Sequence, residues 1–138
     1  MKISTRVENS LGQHQVALTT NKNSHSIVIP PKTAGFGSSV NGGELLFLAL
    51  ATCYCNDIYR EAAKRNITVE KVEVDVSGDF GAEGEPAKNV TYQAKVHARG
   101  TEEEIRALME HTDKVAEIQN TLRSTTPVNL DRIELVVT

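Results

Sequence analysis

The segment from Asn41 to Arg65 constrains this chain more than any other, because it reads as one long helix whose first half, LLFLALATC, is apolar around nearly its whole circumference. A surface helix ordinarily carries one apolar stripe. Apolar residues on every side imply burial on every side, which predicts a helix sandwiched between sheets or enclosed by a second subunit. The second half, NDIYREAAKRN, is polar on one side and so returns to the surface. Asn41 can cap the free backbone N–H groups at the start. Glu44, three residues on, can reach back to complete a capping box.

At 138 residues the chain has the size of one domain, 1–138, and can bury roughly two-thirds of the surface its unfolded form exposes. With no Trp, 3 Phe and 3 Tyr, the core must come from Val, Leu, Ile and Ala, and a second copy would enlarge it. Three short strands precede the helix, at Lys2 to Asn9, His14 to Thr20 and Ser24 to Ile29, with a turn at Leu11-Gly12. A Gly- and Pro-rich loop from Pro30 to Gly43 follows. After the helix, alternation at Val72, Val74 and Val76 and again at Val90, Tyr92, Ala94, Val96 and Ala98 predicts an antiparallel hairpin over Val69 to Gly78 and Val90 to Ala98. Thr101 followed by Glu102, Glu103 and Glu104 marks a second helix, expected to run to Arg123 before the Ser-Thr-Thr-Pro stretch ends it. The tail from Val128 to Val137 predicts a final strand. The order is βββ-α-ββ-α-β, an α+β domain.

A formal net charge of -3 supplies no electrostatic reason to seek phosphate backbones or anionic lipid, so neither nucleic acid nor membrane is an expected partner. The N-terminus lacks an apolar signal region and no stretch of about 18 apolar residues occurs, so a cytoplasmic location is expected. Two cysteines, Cys53 and Cys55, are too few for a disulfide framework, and reduced thiols follow.

On a helix these two thiols point roughly 160° apart and cannot bridge. Cys53 shares its face with Leu50, Asn56, Asp57 and Arg60, whereas Cys55 faces Ala51, Ile58 and Ala62. Attack on a peroxide needs help in forming thiolate. Arg60 is the same-face cation, roughly 10 Å away along the axis. An inert buried Cys and a reactive one both remain open. Glu44 lies about 180° around the helix from Cys53 and roughly 13 Å along it, and capping alone explains it. His14, His25, His97 and His111 show no ligand spacing with the cysteines, so no metal and no cofactor are expected.

The helix NGGELLFLALATCYCNDIYREAAKRNI, the strand VEVDVSGDF and the helix EEEIRALMEHTDKVAEIQNTL together resemble the OsmC/Ohr family. The most specific part is the arrangement of Glu44-Leu45-Leu46 nine residues before Cys53. The resemblance implies an intertwined homodimer with long central helices packed on curved sheets. It also implies thiol-dependent reduction of organic hydroperoxides, with Cys53 at the reactive position and Glu44 at the shared family position. The family's second-helix cysteine falls on Ala116, no early Arg occurs in SLGQHQVALTTNKNSH, and Gly43 stands where the hydroperoxide branch carries Glu. Cys55, a partner chain or an external thiol would then resolve an oxidised Cys53. The alternative is a non-catalytic dimer that binds an apolar small molecule in the subunit cleft.

Overall fold

The structure, a computed structural model, describes residues 1–138. Its elements are β1 (Ile3–Ser10), β2 (Gln13–Thr20), β3 (Asn23–Ser26), α1 (Gly42–Lys64), β4 (Val69–Asp79), β5 (Lys88–Ala98), α2 (Glu102–Val115) and α3 (Glu117–Arg123). The chain forms two compact units, Met1–Leu46 and Phe47–Thr138.

In the first unit β1, β2 and β3 make an antiparallel sheet in that order, with Val7 opposite Val16 and Leu18 opposite His25. Gly12 takes a left-handed φ of 71° in the β1–β2 turn, which a residue without Cβ adopts without strain. No strand residue of this sheet is buried, and Ile3 and Val7 stand 60% and 61% exposed. The Pro30–Gly43 segment folds back on itself through a bridge between Pro31 and Ser38. It ends in the expected capping box: Asn41 Oδ1 accepts from the Glu44 backbone N–H at 2.8 Å, and Glu44 Oε1 accepts from the Asn41 backbone N–H at 3.0 Å.

The second unit holds the hydrophobic core. In β4 and β5 the residues Val72, Val74, Tyr92, Ala94 and Val96 turn one way, while Glu73 pairs with Lys95 on the solvated face. Against the apolar face pack Tyr54, Ile58 and Ala62 of α1 and Leu108 of α2. Ile58 and Leu108 are wholly buried, each worth about 2–3 kcal/mol over an exposed position. Gly78 in β4 is required by packing. A Cβ there would sit 2.8 Å from the ring of Phe47, which stacks on Phe80.

Two expectations need correction. Residues 124–138 form no strand: no strand of the chain pairs with them, and Val128, Leu130, Leu135 and Val137 stand more than four-fifths exposed. The second helix does not run unbroken to Arg123. It stops at Ala116, whose ψ of 113° is extended, and α3 restarts in a new phase. Side chains repair the gap, as Asn120 Nδ2 donates to the Lys114 carbonyl at 2.9 Å and Arg123 Nη1 to the Asp113 carbonyl at 3.0 Å. In the apolar half of α1, Leu50 is buried while Leu45 and Leu48 are exposed.

Candidate functional site

Cys53 lies half-buried on α1, and Asp57 follows one helical turn later on the same face. The break at Ala116 brings Glu117, the first residue of α3, to the same place. Cys53 Sγ is 3.6 Å from Asp57 Oδ2 and 3.7 Å from Glu117 Oε2, so its single proton can be donated to either carboxylate. Arg60, another turn along α1, clamps both acids: its Nη1 lies 3.1 Å from Asp57 Oδ1 and 2.8 Å from Glu117 Oε1. The long gap from Arg60 to Cys53 expected along the helix axis is thus bridged by shared carboxylates.

The electrostatics hold the thiol protonated at rest. Burial pushes the Cys53 pKa up, the Ile118 backbone N–H pulls it down, and the charges of Asp57 and Glu117 push it up again. Burial, and then the hydrogen bond and charge of Glu117, raise the Asp57 carboxyl. Glu117 is held lower by its hydrogen bond with Asp57 and by Arg60. The sulfur and the two carboxylates lie within 4.8 Å of one another, a spacing that could hold a cation. Arg60 already turns its guanidinium to both acids and supplies the positive charge there, so this donor set does not fit a resident metal.

Arg60 is itself anchored from behind. Its Nε donates to Glu61 Oε2 at 2.8 Å, and the same carboxylate meets Lys64 Nζ at 2.9 Å and His111 Nε2 at 3.1 Å. Glu61 is only 4% exposed, and the hydrogen bonds from Arg60 and Lys64 pull its pKa down to about 2. Lys64 and His111 therefore share one buried partner. Gln119, buried on α3, ties that helix to α1 by donating from Nε2 to the Leu50 carbonyl at 3.0 Å.

The structure thus gathers Cys53 and Arg60 into one cluster and leaves the other sequence candidates apart from it. Glu44 is exposed and engaged in the Asn41 cap. Cys55 lines a separate shallow depression with Ala51, Thr52, Asn56 and Val74, and both cysteines are free. Glu61 and Glu117 are the members that sequence reasoning did not name, and Asp57 was named only as a same-face neighbour of Cys53. The i,i+4 spacing of Asp57 from Cys53 was the one available signal.

The fold and this helix-borne thiol define an α+β thiol protein of OsmC-like architecture. The family model described as OsmC-like protein matches residues 35–131, and the chain belongs to that family. An OsmC-like protein from Mycoplasma pneumoniae shares 19% identity, with 88% of this chain and 89% of that one covered at a TM-score of 0.61. A hydroperoxide resistance protein of OsmC-like type from Jannaschia shares 18%, covering 99% and 95% at 0.57. An organic hydroperoxide resistance protein from Legionella pneumophila shares 20%, covering 89% and 90% at 0.52. The comparison with curated proteins gives no match. No helix is long and apolar enough to cross a membrane.

Proposed function

We propose that this protein reduces organic hydroperoxides through Cys53, as a homodimer in a reducing cytoplasm. The observation that carries the reading is the half-buried Cys53 thiol within hydrogen-bonding reach of two carboxylates clamped by Arg60. The hydroperoxide-resistance names of the Jannaschia and Legionella neighbours support the substrate class. Sulfur attacks the terminal peroxide oxygen, the S–O bond forms and the O–O bond breaks. The thiol becomes a sulfenic acid and the hydroperoxide an alcohol. Two equivalents of an external thiol then restore Cys53, giving their disulfide and water. That external reductant is needed because Ala116 is buried where the family's second cysteine falls and Cys55 lies on another side of α1. The exposed Leu48 and the unpaired apolar tail support a second copy as partner.

The test is consumption of an alkyl hydroperoxide with a dithiol reductant. Cys53→Ser is expected to fall to the uncatalysed background, and a rate equal to wild type removes Cys53 from the chemistry. Light scattering is expected to give twice the chain mass, and a single-chain mass removes the dimer.

A second reading is favoured by one observation, an open groove of about 880 Å³ beside α2 in which Tyr54, Tyr92, Ile105 and Met109 share the wall with charged side chains, Arg106 and Asp113 among them. It supports binding of an apolar small molecule without catalysis. Native mass spectrometry that finds no bound molecule, with no ligand-dependent stabilisation, counts against it.

A further inference from the structure

A thiol whose surroundings keep it protonated must lose its proton during attack, because the thiolate is the nucleophile. The charged and titratable groups facing Cys53 are few. From α1 come Asp57 and Arg60, from α3 comes Glu117, and behind Arg60 stands Glu61 with Lys64 and His111 of α2. Arg60 and Lys64 are cations with no proton to accept. Glu61 makes its bonds to those cations and to His111 and does not touch the sulfur. Both carboxylates that do are paired with Arg60, but Asp57 is 7% exposed and fixed one turn from the thiol on the same helix, whereas Glu117 is three-fifths exposed.

Resting on the reading of Cys53 as peroxide-reducing thiol, we infer that Asp57 is a catalytic residue that accepts the thiol proton as sulfur attacks and returns it to the departing alkoxide. The balance closes. The proton leaves Sγ for Asp57 Oδ2 and the sulfur electron pair forms the S–O bond to the terminal hydroxyl oxygen. The O–O bond breaks with its electrons on the organic oxygen, and Asp57 passes its proton there to give the alcohol. Asp57 ends as it began, sulfur is oxidised by two electrons and the hydroperoxide is reduced by two. Glu117 and Arg60 act as positioning residues, with Arg60 bonded to Asp57 Oδ1 so that Oδ2 is left for the thiol.

Two reagents separate proton transfer from simple electrostatics. Iodoacetamide reads thiolate alone, since iodide departs without a proton, whereas the alkoxide of a hydroperoxide needs one. Asp57→Asn removes a negative charge that raises the thiol pKa. At pH 7 the variant should therefore alkylate at Cys53 faster than wild type, yet form sulfenic acid about 100-fold more slowly in a single turnover with alkyl hydroperoxide. Asp57→Asn that speeds both reactions, or leaves both unchanged, overturns the inference. The wild type provides a check independent of any variant. Its sulfenic acid formation should level off across neutral pH, and a tenfold rise per pH unit up to the thiol pKa overturns the role of Asp57. Cys53→Ser that still consumes hydroperoxide at the wild-type rate is a different failure, that of the thiol reading itself.

Discussion

Asp57 and Glu61 sit one turn apart on the same helix, both nearly buried, both touched by Arg60, yet they titrate in opposite directions. Glu61 receives Arg60, Lys64 and His111 and stays ionised down to about pH 2. Asp57 is desolvated against a second carboxylate and a thiol, and its pKa is raised. Burial of a carboxylate therefore does not decide its role; the sign of what surrounds it does. The Glu61 turn is an anchor that fixes Arg60, and the Asp57 turn is the place where a proton can change hands.

Arg60 belongs to both turns, so its removal should have the largest effect. Arg60→Ala leaves three carboxylates without their shared cation, and thermal unfolding is expected to show the midpoint lowered by roughly 5–10 °C. Neutralising each acid in turn sharpens the contrast. Glu61→Gln should lower the midpoint by roughly 3–5 °C, and Asp57→Asn should move it by under about 2 °C, because it also relieves repulsion with Glu117. Equal losses at the two positions would erase the distinction.

The pH dependence follows with opposite signs. Glu61 has a folded pKa depressed from the usual 4.5 to about 2, so its stabilisation is present above 4.5 and lost as pH falls toward 2. Asp57 is raised from 3.8, so its contribution is complete below that value and lost as pH rises through its folded pKa. Urea unfolding across the acid range should show a shallower loss of stability in Glu61→Gln than in wild type, and a steeper one in Asp57→Asn. The smallest effect belongs to an ion pair with no burial to amplify it. Arg106, four residues after Glu102 and 3.2 Å from it on the exposed face of α2, should cost about 0.3–0.5 kcal/mol when changed to Ala.

Much of the fold was legible because its signals are local. The two capping boxes, at Asn41 with Glu44 and at Thr101 with Glu104, depend on residues three apart, and both form. The β4–β5 alternation likewise carried its own register. The break at Ala116 was not legible, since Ala is the strongest helix former and neither Gly nor Pro marks the site. What holds it open are Asn120 and Arg123, acting back across the gap. The tail misled for the converse reason, because alternation measures a side chain's suitability for a sheet and says nothing of where the partner backbone is. At the site, Cys53 and Arg60 were readable from helical spacing. Glu117 was not, being 64 residues from Cys53 and delivered by that same break.

The extended peptide at Ala116 works as a pivot. Everything beyond it takes its bearing from one dihedral angle rather than from the stripe of the preceding helix. A residue inserted or deleted there would shift the following acid off the sulfur, with both helices intact. A larger side chain at the pivot has no free space to enter, because Ala116 is wholly buried, and would push the same acid aside. Variation in this stretch should thus be strict in number and, at the buried pivot, strict in size, since either change moves what reaches the thiol.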